Sequence, residues 1–534
     1  MSHRDLGFGG FFEDDPLRSG FKRISIGGWV DDRLAKALLY LGHQLNQSTS
    51  SLYEFNNFLN APECQFLGVS AGYTYLFQLA SHDVLQSSRM VHPFEDNAPT
   101  PTNLRRVPLA LETIFGGGPI ACPFAYDTRK VVTSDDPEDL DGVELLRLGL
   151  FRDSNRAIKK RHQPPQDLPR ARFNPDGPEN PDAPYTEVLI ADARNDDNNI
   201  LAQLTVLFHR LHNALATQTA LLKDPSGTRL ILPRHRSRIA RQATIRIYHR
   251  ILREDLLPTL MHSDVLALYD PVNPKSLLGL SPQENADHFA FAARAAHSMV
   301  RNKYKLNSTV SHELSRIIST SSLHAPLNLP TPQNWKIDWT LFFPEDGASD
   351  PRINWAIKLG PHFAPTMTQT VAANKVDDSL PAGAPIRDLL ADFHTQLVPV
   401  ETLLQTLAPQ LPTLASVPPQ DKVAQIITAG FGALKIDEIN ASDHNGESVD
   451  LQPFRAAPSL PLFLLFEAQS EGNAGRTFGP LGSAIIGDCF MPLLKKDTSQ
   501  VSLEDQVVEA LEKLTFPGGP ISSMAELIKQ LPDN

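Results

Sequence analysis

The sequence predicts a mainly α-helical fold, one large domain with long irregular loops, on three observations. After Ile200 the apolar positions Leu204, Leu207, Phe208, Leu211 and Leu215 recur at spacings of three and four, the period of a helix burying one stripe. Ile239 to Leu257 and Ile386 to Leu404 repeat that pattern, and strict two-residue alternation is scarce. No Gly/Ser tract, long charge run or fixed-period repeat divides the 534 residues, so residues 1–534 read as a single domain. Its core is placed at about 20–495, with a helical extension at 496–534. A hydrophobic content of 41% is enough for a large core, since chains of this size bury about three quarters of their surface.

Composition narrows the function. Forty-nine basic against sixty-one acidic residues give a net charge of −12, which works against nucleic-acid binding and favours small-molecule partners. Three cysteines, Cys64, Cys122 and Cys489, have no CxxC spacing, and an odd count argues against a disulfide framework. They read as small buried apolar residues. The start, Met1 to Phe8, lacks an apolar secretory core, and no window approaches eighteen uninterrupted apolar residues. A cytoplasmic protein with no membrane span is the expectation.

Along the chain, Thr74 to Asp83 reads as a helix that places Gln78, His82 and Asp83 close together. Irregular stretches follow at Phe94 to Asn103, at the acidic Ser134 to Asp141, and at Gln163 to Pro184, which is crowded with Pro, Asp and Asn. Loops of such length are usually functional or mobile. The third leads into Ala191-Asp192-Ala193-Arg194, where it either covers a pocket or is a solvated excursion. Asp196 to Leu204, Phe208 to Asn213 and Phe291 to Ser298 continue the helical pattern, the last containing Arg294 and His297. His209 and His212, three apart, could serve one metal but lack a third ligand nearby, so they read as ordinary core or surface histidines.

Two histidines some two hundred residues apart, with an arginine between them, resemble the site of the animal-type haem peroxidases of the peroxidase–cyclooxygenase superfamily, in the shorter form found in bacteria. The Gln78-x-x-x-His82-Asp83 pattern is similar to the family's distal-histidine motif, and Arg194 to its distal arginine. Leu111 to Pro119 resembles its Gly-Gly-Gly-Pro segment, Phe208 to Asn213 its Phe-Leu-Arg-x-His-Asn segment, and Gly479 to Gly482 its closing Gly-Pro-x-Gly signature.

The resemblance implies a haem-dependent peroxidase that uses hydrogen peroxide to oxidise a small organic or lipid substrate through an oxoiron intermediate, with a place in the response to oxidative stress. His82 would shuttle the proton and Arg194 would stabilise the departing oxygen, tasks that need a base and a cation. Gln78 aligns with a residue that contacts halide. His297 would ligate the haem iron, Arg294 would pair with a propionate, and Asp388 in Ile386-Arg387-Asp388-Leu389-Leu390 would hold the second nitrogen of His297.

Departures from the pattern qualify the cofactors. Ser81 and Asp197 stand where the family esterifies haem, and Asn198 where one member forms a sulfonium link. Serine and asparagine cannot make those bonds and Asp197 is one methylene short, so non-covalent haem b is expected. Asp83 is the candidate calcium ligand, with Glu112 and Thr113 near it, but Ala110 replaces a carboxylate, and calcium favours six to eight oxygens. Two other readings stand beside the peroxidase: a fatty-acid dioxygenase or cyclooxygenase-like oxygenase, against which Arg294 replaces the radical-forming tyrosine, and a non-catalytic haem-binding protein of the peroxinectin type.

Overall fold

The computed structural model describes residues 24–25, 28–29, 37, 40–41, 44–45, 69–86, 103–127, 143–151, 166–172, 185–224, 226–232, 235–318, 330–345, 350, 352–369, 384–393, 397–436, 441, 448–495 and 502–531. The chain is built from helices. The longer ones are α1 (Ala71–Val84), α2 (Asn199–Gln218), α3 (Arg236–Ile251), α4 (Pro282–Ala295), α5 (Ala384–Phe393), α6 (Val400–Leu407), α7 (Pro419–Ala433), α8 (Leu460–Glu471), α9 (Pro480–Phe490) and α10 (Leu503–Thr515). Among the described residues, strands are confined to short antiparallel pairs, one of them Arg170–Arg172 with Tyr185–Val188.

Local chemistry explains where the site-bearing helices begin. Pro282 occupies the first turn of α4, and Ser281 and Glu284 cap it reciprocally, satisfying donors that a helix start leaves unpaired. At its far end α4 tightens into a 3-10 turn, Ala296–Met299, which carries His297. The Asn198 side chain caps α2 by accepting from the Leu201 N–H. One residue group upstream, Asp192 caps the short 3-10 turn Ala193–Asp196 that carries Arg194.

α1 is buried on nearly every side, as expected of a helix enclosed by others. It packs against α2, α4 and the 296–299 turn. Its start lies so close to residues 342–343 that a Cβ at Gly72 would fall 2.2 Å from the Phe342 carbonyl oxygen. A side chain there would push the helix off its support. One apolar core runs from Ala37 to Leu531.

α3 passes into a π-helical turn, Leu252–Leu256. Within that turn Asp255 accepts from the Tyr73 hydroxyl of α1 at 2.5 Å and from the Met524 N–H at 2.8 Å. The C-terminal segment is thereby tied to the helix that carries His82.

Two sequence expectations are revised. Ile386 to Leu404 is not one helix: α5 ends at Phe393 and α6 starts at Val400. Pro399 separates them, because proline lacks the N–H a helix interior needs and steers the residue before it away from the helical region. The Gln163 to Pro184 stretch contains a strand at Arg170–Arg172. Residues 94–102 and 134–141 lie outside the described residues.

Replacing Asp255 with alanine removes the shared acceptor of two part-buried hydrogen bonds at the seam between α1 and the C-terminal segment. Bonds of this kind contribute about 0.5–1.5 kcal/mol each. Asp255→Ala is expected to lower the thermal midpoint by several degrees, measured by circular dichroism, and an unchanged midpoint would show the tie to be dispensable.

Candidate active site

His82 lies in the last turn of α1 and is half-buried. Its Nδ1 is 3.1 Å from Oδ1 of the fully buried Asn195, whose amide nitrogen points to the Thr113 carbonyl oxygen at 3.5 Å. A carbonyl only accepts, so the amide presents its NH2 there and its oxygen to His82. With the amide oxygen as acceptor, the histidine proton is assigned to Nδ1. Burial, then the Arg194 charge, lower the His82 pKa from 6.5 to about 4, against the opposing pull of the Asn195 bond. Near neutral pH the ring is an uncharged base whose Nε2 has no partner among the described residues.

Arg194 is fastened on one side only. Its Nε donates to Asp192 Oδ1 at 3.0 Å, and its Nη2 donates to Asp192 Oδ2 at 2.7 Å and to the His82 carbonyl oxygen at 2.9 Å. Arg105 duplicates the arrangement, with Nη2 on Asp192 Oδ2 at 2.8 Å and on the same carbonyl at 2.7 Å. Burial works against the Asp192 charge, but the bonds and charge of Arg194 and the bond from Arg105 hold its carboxyl well below the usual carboxylate range. Arg194 Nη1 carries no partner among the described residues. Gln78 donates to Asp197 Oδ2 at 3.1 Å and accepts from Asn198 at 3.4 Å. The Ser81 hydroxyl donates within the helix to the Phe77 carbonyl oxygen at 2.7 Å.

On the turn that α1 packs against, His297 Nδ1 is 3.2 Å from Asp388 Oδ2. Its side chain is 41% exposed, which leaves Nε2 accessible. Arg294, expected to serve a propionate, instead lies with Nη1 3.7 Å from Asp388 Oδ1 and its guanidinium over the Phe291 ring. A propionate would have to share it. The resulting donor set suits haem iron: an accessible imidazole nitrogen, its partner nitrogen held by a carboxylate, and a cation beside them.

The calcium expectation fares differently. Asp83 is fully buried, and its oxygens accept from the Leu111 N–H at 2.7 Å and the Thr113 N–H at 3.2 Å, with the Thr113 hydroxyl at 3.5 Å. Burial pushes its carboxyl up to about 6 against those two donors. Glu112 turns away towards the Arg106 N–H at 3.2 Å. Two N–H groups take two of the roughly four acceptor positions of the carboxylate. Among the described residues no cluster of three or more His, Cys, Asp or Glu could hold a metal ion. The donors on Asp83 come from a strained segment: Leu109 and Leu111 have φ of 58° and 54°, left-handed values that cost a leucine about 1–2 kcal/mol each.

His209 and His212 bond to the carbonyl oxygens of Arg147 and Glu144, each at 3.1 Å. Burial lowers both to about 4. They are neutral core residues that hold the 143–149 segment against α2.

Asn195, Asp192 and Arg105 are the site residues that sequence reasoning missed. Asn195 and Asp192 flank Arg194 closely enough to have been suspected, whereas nothing in the sequence around Arg105 points to His82.

No protein-family model matches the chain, and no curated protein matches it. Among solved structures it is similar to peroxidase A from Dictyostelium discoideum, at 14% identity and a TM-score of 0.48, covering 88% of this chain and 85% of that one. It is also similar to a fatty acid alpha-dioxygenase from Oryza sativa, at 11% identity and a TM-score of 0.40, covering 87% and 76% respectively. Neither likeness, at these values, transfers an activity. No helix among the described residues is long and apolar enough to cross a membrane.

Because two amides already hold the Asp83 carboxylate and Ala110 offers no carboxylate beside it, millimolar calcium and excess EDTA are both expected to leave the thermal midpoint unchanged. A calcium-dependent rise would show that oxygen ligands replace the amides.

Proposed function

We propose that the chain is a haem-dependent peroxidase that reduces hydrogen peroxide at the expense of a small organic or lipid substrate. One observation carries the reading. Two histidines on packed elements, His82 on α1 and His297 on the 296–299 turn, each have Nδ1 held by a side-chain oxygen and Nε2 without a partner among the described residues. The motif resemblance supports it.

The two supports differ in charge, and that difference assigns the roles. Asp388 is a carboxylate, which makes the His297 ring a strong electron donor and suits an axial iron ligand. Asn195 is neutral, which leaves His82 a base rather than half of an ion pair. Haem would supply the iron at which the peroxide O–O bond is broken, and Ser81, committed to Phe77, favours non-covalent attachment.

The chain's own residues would manage protons and charge. His82 Nε2 takes the proton from one peroxide oxygen and returns it to the other, so that water leaves. Arg194 stabilises the negative charge that grows on the departing oxygen through the unoccupied edge of its guanidinium. It stays in place because Asp192 and the His82 carbonyl oxygen fix its other edge. Two electrons and two protons, supplied by the reducing substrate and solvent, complete the balance, giving two waters per peroxide.

An absorption spectrum of the purified protein with and without peroxide tests the reading directly. A Soret band that His297→Ala abolishes or shifts is expected, and unchanged haem content and ferrous spectrum in that variant would remove His297 from the iron. His82→Ala is expected to retain haem and to slow peroxide consumption by about a hundredfold to ten-thousandfold, the usual contribution of an acid–base group. The histidine acts as base only when neutral, so the acid limb of peroxide consumption should fall near the His82 pKa of about 4 rather than at its ordinary 6.5. A limb at 6.5 in stopped-flow mixing would contradict this assignment.

A further inference from the structure

We propose that Asp83 and the segment Leu109–Thr113 form a positioning device for His82: the carboxylate fixes the segment, the Thr113 carbonyl orients the Asn195 amide, and the amide oxygen keeps the ring proton on Nδ1. The proposal deepens the peroxidase reading and rests on it only for the catalytic meaning of the free Nε2.

An asparagine amide is nearly symmetric in shape, so its orientation must be imposed from outside. If the Asn195 amide turned over, its NH2 would face His82 Nδ1, the ring proton would move to Nε2, and the nitrogen needed as a base would be closed. The group that decides between the two states is the Thr113 carbonyl oxygen, 3.5 Å from the amide nitrogen. Thr113 is fully buried and is held at its own N–H and hydroxyl by Asp83 Oδ1.

The segment would not hold this shape by itself. Leu109 and Leu111 both occupy the left-handed region, where leucine persists only while its surroundings impose it. What imposes it is chiefly Asp83, whose carbonyl oxygen accepts from the Leu109 N–H at 3.3 Å and whose carboxylate accepts from the Leu111 N–H at 2.7 Å. His249 adds a contact to the Leu109 carbonyl oxygen at 2.7 Å. The residue after His82 in sequence thus acts back on His82 through a loop and an amide. Asp83 is a positioning residue and touches no reacting atom.

The tautomer can be read without haem or turnover. Long-range 1H–15N correlation on the full-length, haem-free chain with 15N-labelled histidine distinguishes the two ring nitrogens, and His82→Gln identifies the His82 signals. The parent is expected to hold the Nδ1–H form at neutral pH. Asn195→Leu should move it towards Nε2–H, the form free histidine prefers. Asp83→Ala should shift the tautomer ratio in the same direction by about fivefold, the worth of one hydrogen bond of ordinary net strength, and Asp83→Asn, which keeps one acceptor, by less. A folded Asp83→Ala chain with the parent tautomer overturns the proposal. Should Asp83→Ala not fold, an unshifted Asp83→Asn chain overturns it on the same criterion. A parent chain that shows the expected tautomers and yet binds no haem would instead refute the peroxidase reading alone.

Discussion

The carboxylate of Asp192 is the contact on which the candidate site turns. It is buried, so it must find donors, and it finds two guanidiniums, Arg194 and Arg105. Each of those also reaches the carbonyl oxygen of His82. A single buried charge therefore joins the end of α1, the 103–110 segment and the turn before α2. Removing one partner of such a cluster strands the others, which makes it costly to disturb. The same demand for donors shapes other places: Asp196 takes a two-pronged grip from Arg170, and Asp488 gathers Tyr269, Ser276 and the N–H groups of Leu277 and Leu278.

Around this anchor the two histidines are treated alike in geometry and differently in charge. Both are tethered at Nδ1, so both offer Nε2. An amide oxygen donates no charge to the ring it holds, while a carboxylate increases the electron density of its partner. Two residues of one type thereby become suited to opposite tasks. The choice is made by their neighbours, Asn195 and Asp388, which lie 113 and 91 residues away in sequence.

Sequence carried more of this site than of its support. Gln78, His82 and Asp83 are legible as one helical group, Arg194 and His297 as members of recurring motifs, and Asp388 as the partner of His297 once its segment is aligned. What stayed hidden has a common cause. The Thr113 carbonyl and the N–H groups of Leu111 and Thr113 are backbone atoms, which every residue possesses and no residue letter displays. The sequence displays Asp83 as a candidate calcium ligand, whereas the amides that hold it are visible only in the fold. Leucine at 109 and 111 gives no sign of left-handed backbone, since glycine or asparagine would be the usual clue. The break at Pro399 is visible in principle, but the apolar spacing from Ile386 to Leu404 continues across it and obscures the proline.

The π-helical turn at Leu252–Leu256 has a consequence for how the chain tolerates insertion and deletion. A π turn amounts to one residue more than an α-helix needs over the same rise, and it changes which way the following side chains point. Arg250, before it, faces the C-terminal segment through Glu512 and the Ile521 carbonyl oxygen, and Asp255, within it, reaches the same segment at Met524 and also Tyr73 of α1. Deleting one residue there would restore a regular helix and rotate everything downstream by about 100°, carrying Asp255 away from both partners. The additional residue works as a phase adjuster, setting the direction in which the rod presents Asp255 to α1 and to the C-terminal segment at once.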